Sequence, residues 1–263
     1  MKVDKQKVLS SNAIAPENQA KIADQLAWSL PEGKSGLLKN DLMVLDIINA
    51  NNWQRPIYFA ISVNNSSYMG LQKYFQLEGL AYRLVPVLDS RDPQESRQMP
   101  GVINADIMYD NLMNKFKFGN FSDPKVHADA DYRRMIYNFR GNFARLADAM
   151  TERGEKEKAI AVLDYSEKMM PDHSAIHNIY SYTTINAYYQ AGAPDKARKI
   201  IETVAKRTTA ELKYFNSLPR WRQASYSDDV RMDEYFFQTA IRMAREYKQD
   251  DLAKQLEDMQ KEI

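Results

Sequence analysis

A glycine and an alanine recur as a pair in the second half of the chain. Ala159 follows Gly154 at the interval at which Ala197 follows Gly192, and the second pair lies 38 positions after the first. Around the first pair, Phe143, Leu146, Ala147, Met150, Leu163, Ser166 and Pro171 complete a tetratricopeptide-type spacing, whose usual period is about 34 residues. Each position has a mechanical reason. Large residues of a first helix plug into small ones of a second. Gly154 suits the tight turn between them, Ala159 lets the helices approach closely, and Pro171 ends the second helix. Tyr188, Ile201 and Val204 continue the second copy. Its longer period places about four extra residues in one helix or turn. A third, weaker copy spans Tyr235–Met259, with Phe237, Ala240, Ile241, Ala253 and Leu256 as its core and no turn glycine. The stretch Leu212–Asp229, with Pro219 and Trp221, separates it from the second. About three such hairpins are needed for a stable stack.

The first half reads differently. Ile22, Leu26 and Leu30 recur every fourth residue, so a helix is expected over Ala20–Leu30, stopped by Pro31-Glu32-Gly33. A second helix is expected over Lys39–Asn49, capped by Asn40 or Asp41, with Leu42, Leu45 and Ile48 on its apolar face. Arg55–Val63 is β-branched and aromatic and reads as a buried strand. Tyr68–Leu77 reads as a helix, Glu78-Gly79 as a turn, and Leu80–Val87 as a second strand. This alternation predicts a small α/β unit of two or three parallel strands. Asp89–Pro100 reads as a linker or surface loop, and Asp106–Phe118 as a short helix. The fold class expected is thus α+β and mostly helical. A small α/β domain with its linker spans 1–125, and tetratricopeptide-like helical hairpins span 126–263.

Composition excludes several chemistries. The chain has 263 residues and no cysteine, which removes disulfides, zinc-thiolate sites and thiol nucleophiles. Lys+Arg number 36 against 35 Asp+Glu, so no net field draws nucleic acid. No run approaches the roughly 18 apolar residues that span a bilayer, and Met1–Ser10 is polar. Gly33-Lys34-Ser35 resembles the end of a phosphate loop, but Trp28 stands where its first glycine belongs. His173 and His177 are spaced to share a helix face, and His127 lies beside Asp129 and Asp131, but a metal site needs three or four converging ligands. No Gly-x-Ser-x-Gly nucleophile turn occurs. No cofactor and no catalytic residue are assigned.

Two stretches stand out as binding candidates. Tyr132, Arg133, Tyr137 and Arg140 concentrate aromatics and guanidinium groups on one helix, the side chains favoured at interaction hot spots. Trp53, Arg55 and Tyr58 lie at the entrance of the first strand. The plainer readings are a solvated helix face and a tryptophan that plugs the helix-to-strand corner.

Asn51–Ala60, Tyr74–Val87, Tyr109–Asn120 and Arg140–Ala147 together resemble a bacterial family of large multi-pass membrane proteins, in its soluble C-terminal region, from about Lys39 to the chain end. That family is catalogued as a domain of unknown function and is similar to protein O-mannosyltransferases. The resemblance implies a parent enzyme with an N-terminal membrane body that uses a lipid-linked sugar donor. It implies an accessory, non-catalytic role for this chain on the periplasmic side of the inner membrane, binding an acceptor protein, a glycan or a partner subunit. The alternative is a tetratricopeptide adaptor unrelated to sugars.

Overall fold

The computed structural model describes residues 1–30, 35–91 and 99–263. The Pro31-Glu32-Gly33 stop, the Lys34 of the phosphate-loop comparison and most of the Asp89–Pro100 loop lie outside the described residues. Backbone contacts divide the chain into two units, Met1–Lys115 and Phe116–Ile263.

In the first unit, helix α1 (Lys5–Ser10) is capped by Asp4, whose carboxylate accepts the Lys7 N–H at 3.2 Å. Pro16–Lys21 is a 3-10 turn. The helix expected over Ala20–Leu30 is absent. Residues 22–26 run extended instead, with Ile22 bridging Val87 and Gln25 bridging Lys2. Ile22 and Leu26 are buried all the same. A four-residue spacing is about one helical turn but also two strand periods, so it puts both side chains on one face either way. Helix α2 (Lys39–Asn51) forms as expected, although Leu38 is its N-cap and Asp41 accepts the Leu38 N–H at 2.9 Å. Of its expected apolar face, Ile48 is buried and Leu42 is exposed.

The sheet has four strands in the order β1 (Tyr58–Ala60), β3 (Ala81–Leu84), β2 (Phe75–Leu77), β4 (Val102–Ile103). The expected parallel arrangement fails for the first three: β1 and β2 both pair antiparallel with β3, and only β2 and β4 run parallel. The reason is local. Met69 and Gly70 take positive φ, 57° and 74°, which ends any helix there and leaves residues 75–77 free to form β2. Glu78-Gly79-Leu80 is then too short for the crossover that a parallel pair requires. β1 is short and lies at the sheet edge, not buried as expected, with Tyr58 and Ala60 exposed on either side of Phe59.

Phe59, Tyr68, Phe75 and Tyr82 fill one face of the sheet. Phe75 stacks on Tyr82 at 5.3 Å and meets Tyr68 edge-on at 5.1 Å. Each ring so buried contributes about 1.5–3 kcal/mol. A second cluster gathers Val8, Ala13, Ile14, Ile22, Val85 and Val87. Helix α3 (Ala105–Asp110), capped by Asn104, passes into a π-turn at Asn111–Lys115 and closes this unit.

The second unit pairs long helices: α4 (Ala130–Glu152) with α5 (Lys156–Met169), α6 (Tyr182–Ala191) with α7 (Pro194–Ser217), and α9 (Ser227–Glu246) with α10 (Asp250–Lys261). A short helix, α8 (Arg220–Gln223), lies between α7 and α9. Gly154 and Gly192 sit at the first two turns with φ of 80° and 88°. Each turn is closed by the same two bonds: Gly154 and Glu155 donate to Thr151 and Met150, and Gly192 and Ala193 donate to Tyr189 and Tyr188. This is a Schellman end, which needs a left-handed residue. Ala159 and Ala197 are fully buried beyond it. The extra residues of the longer period fall in the link 170–181 between the first two hairpins.

The third hairpin has the same turn without glycine. Lys248 takes φ of 59°, Lys248 donates to Arg245 and Gln249 to Ala244, and Ala253 is buried at the matching offset. A lysine held there costs about 1 kcal/mol relative to glycine. Lys248→Gly is therefore expected to stabilise the chain by about 1 kcal/mol, and Gly192→Ala to destabilise it by a similar amount, both read by urea unfolding. Equal midpoints for Lys248→Gly and the parent would show that the third turn is not held in this conformation.

Candidate binding surfaces

The strand-entrance residues meet at a corner of the first unit. Asn51 clamps the chain: its side chain accepts the Arg55 N–H at 3.2 Å and donates to the Arg55 carbonyl at 2.8 Å. Between them Asn52 and Trp53 both have positive φ, 41° and 62°. A bulky residue is an outlier in that region. The indole packs against the Val8–Val87 cluster, so Trp53 plugs the corner and is only partly accessible. Arg55 is exposed, and its guanidinium has no hydrogen bond or ion pair among the described residues.

Tyr58 is 47% exposed. Its hydroxyl donates to Glu78 Oε2 at 2.6 Å, and burial, then Glu78, pushes its pKa up to about 12. Arg83, opposite Tyr58 in the sheet, places its guanidinium 5.9 Å from the Tyr58 ring centre and 3.6 Å from Glu78 Oε1. Glu78 is buried, at 4% exposure, and also accepts from Gln76 Nε2 at 2.7 Å. Ser11, Trp53, Arg55, Pro56 and Arg83 line a recess of about 50 Å³ beside it. The corner thus offers one uncommitted guanidinium, one half-committed guanidinium and a tyrosine edge, a set that receives hydrogen-bond acceptors. Sequence reasoning missed Glu78, Gln76 and Arg83. Strand alternation through 74–78 would have put Gln76 and Glu78 on one face, had that segment not been read as a helix.

The second candidate surface divides. Tyr132 is exposed beside Phe121, with ring centres 6.4 Å apart. Tyr137 is half-buried, its ring 5.8 Å from that of the exposed Tyr180. Burial raises the Tyr137 pKa, while Arg140, Arg133 and Arg207 lower it. Tyr180 thus faces the Tyr137 ring, with Arg133 one turn before it on α4 and the Arg207 charge within electrostatic reach. Arg140 does not join this surface, contrary to expectation: it is 3% exposed and donates from Nε and Nη2 to the Met170 carbonyl at 3.1 and 2.6 Å. Ile136, Arg140 and Ala144 follow one another at four-residue steps and all three are buried, so Arg140 belongs to the core row of α4. Tyr180 and Arg207 come from the inter-hairpin link and from α7, and no local signal in the sequence joins them to Tyr137.

The histidines do not share a helix face. Both His173 and His177 lie in the link, His173 exposed and His177 buried. His177 Nδ1 is 2.9 Å from Ser181 Oγ and Nε2 is 2.8 Å from Glu167 Oε2. The order Ser-His-Glu matches a hydrolase row, but Ser181 Oγ accepts the Asn178 N–H at 3.3 Å and is buried, where it caps the turn Ile179–Ser181. Arg207 binds Asp172 at 2.8 Å and the His177 carbonyl at 2.8 Å, and holds Asp172 below the usual carboxylate range against the effect of burial. Among the described residues, no group of three or more His, Cys, Asp or Glu is placed to hold a metal ion. No described helix is long and apolar enough to cross a membrane.

Residues 1–106 match the family model described as TMEM260-associated domain 2. The match takes in the Trp53–Arg55–Tyr58 corner and all four strands, and it ends before the helical hairpins begin. No curated protein and no solved structure matches the chain.

Proposed function

We propose that this chain is a non-catalytic accessory domain of a membrane glycosyltransferase-like protein, held on the periplasmic side of the inner membrane, where it recognises an acceptor protein, a glycan or a partner subunit. The observation that carries this reading is the family match over the residues that build the Arg55–Tyr58 corner. The corner presents an uncommitted guanidinium and an exposed tyrosine whose hydroxyl is held by Glu78. The helical half adds the facing rings of Tyr137 and Tyr180, with the Arg133 and Arg207 charges within electrostatic reach. The repeated turn at Gly154, Gly192 and Lys248 supports reading that half as tetratricopeptide-like, a fold that serves recognition.

The test uses the full-length parent protein, with glycosylation of its acceptors as readout. Arg55→Ala removes an exposed anchor and Tyr137→Ala a half-buried one, and each is expected to reduce glycosylation about thirtyfold, the equivalent of about 2 kcal/mol in binding. Thermal melting must show both variants folded. Normal glycosylation by folded variants would make both surfaces structural and sink the proposal. The purified chain by itself is expected to transfer no sugar.

A further inference from the structure

We propose that the turn carrying Trp221 docks onto an anionic phospholipid surface. This rests on the membrane-tethered reading above and adds a contact that the reading does not contain.

The turn is built to present one side chain. Pro219 opens the helix Arg220–Gln223, and its carbonyl accepts the N–H groups of Arg222 and Gln223 at 2.8 and 3.2 Å. Gln223 Nε2 ties the turn back to the carbonyls of Asn216 and Leu218, at 3.1 and 2.9 Å. Phe215 stacks on Tyr226 at 4.7 Å and closes the base. Above this frame Trp221 is 73% exposed, more than any other large apolar side chain described.

The surroundings match a headgroup layer. Arg222 lies 5.1 Å over the indole, and neither Arg220 nor Arg222 makes an ion pair or hydrogen bond through its guanidinium among the described residues. From Lys213 to Tyr226 the sequence carries three cations and no acid; Lys213 is taken by Glu262, which leaves the two arginines beside the indole. Asp228, just beyond, is taken by Arg231. Exposed Tyr214 adds a second amphipathic ring. Indole and phenol rings favour the membrane–water boundary, and arginines beside them bind phosphate. A single raised tryptophan on a four-residue helix, flanked by two arginines, suits shallow insertion. It offers little of the roughly 800 Å² per partner that a stable protein interface buries.

Co-sedimentation of the chain with vesicles tests this. Vesicles of mixed phosphatidylglycerol and phosphatidylcholine are expected to pellet the protein, and phosphatidylcholine vesicles are not. Binding should fall steeply with salt, as screening shortens the reach of the arginines. Losing each arginine in Arg220→Gln/Arg222→Gln should weaken binding about fivefold, while Arg220→Lys/Arg222→Lys should retain most of it. Trp221→Ala should weaken binding further, and Trp221→Phe should abolish the blue shift in tryptophan emission that accompanies binding. All these positions are exposed, and unchanged melting temperatures confirm intact folds. No pelleting, equal pelleting with both vesicle types, or binding that ignores Trp221→Ala and the double glutamine variant each overturns the proposal. Vesicle binding is read on the chain alone, so a negative glycosylation result leaves it standing and the reverse also holds.

Discussion

Glu78→Ala is expected to destabilise the first unit by about 3–5 kcal/mol, the cost of removing one partner from a buried charged pair. That is a large share of the roughly 5–15 kcal/mol that holds a domain of ordinary size. Glu78 is the hub of four groups: Tyr58 and Gln76 donate to its carboxylate, Arg83 faces it, and its backbone carbonyl accepts from Asn111 at 2.7 Å. Without the carboxylate, Arg83 keeps its charge in a mostly buried place with nothing opposite, and Gln76 retains only its bond to the Ala13 carbonyl. Glu78→Gln fills the same volume and can still accept from Tyr58, so it should cost less than half as much. The measurement is urea unfolding followed by tryptophan emission in a Trp221→Phe background, where Trp28 and Trp53 report on this unit alone. A cost below about 1 kcal/mol, the range of an exposed pair, would mean that the cluster is solvated.

The same cluster bears on the reading of the corner as a binding surface. Tyr58 is fixed by Glu78 on one side and by Arg83 on the other, so its exposed edge is held in place before any ligand arrives. Pre-ordering of that kind lowers the entropy cost of binding. Arg55 is fixed only through its backbone, by Asn51, and its guanidinium is free to adapt.

What the sequence disclosed depended on whether a position answers to backbone geometry or to distant partners. Gly154, Ala159, Gly192 and Ala197 were legible because a left-handed turn and a close helix approach each admit few residue types. The turn at Lys248 obeys the same geometry with a residue that does not advertise it. Ile22 and Leu26 were identified as core but on the wrong element, since their spacing serves helix and strand alike. The sheet was legible through β1 and β3 and lost at β2, where Met69 and Gly70 end the helix expected over Tyr68–Leu77. Trp53 and Tyr58 were legible as unusual residues at an element boundary, yet their partners Glu78 and Arg83 enter through antiparallel pairing, which no local pattern specifies. Tyr180 and Arg207 reach Tyr137 only through the stacking of hairpins.

Arg140 is where residue type misled most, and it supplies the second large effect. An arginine among tyrosines reads as a surface anchor, but its guanidinium closes the end of the first hairpin. Met170 is the C-cap of α5 and its carbonyl has no helical partner beyond it, so two N–H groups of Arg140 take that role. Burial lowers the Arg140 pKa, and Glu167 and Asp172 oppose the shift, which places both carboxylates within electrostatic reach. Arg140→Ala leaves the Met170 carbonyl unpaired and empties the volume of the side-chain stem. An unsatisfied buried acceptor costs about 1–3 kcal/mol and the lost packing adds to it, so about 3 kcal/mol is expected. The melting temperature of the helical unit should fall by about 6–12 °C. Arg140→Lys retains the charge but cannot make both bonds in the planar geometry of the guanidinium, and should recover only part of the loss. Under the proposed function, Arg140→Ala and Tyr137→Ala in the parent protein should both reduce glycosylation, with Arg140→Ala lowering the melting temperature by far the more. An Arg140→Ala variant that melts like the parent protein would refute the structural role and return Arg140 to the binding surface.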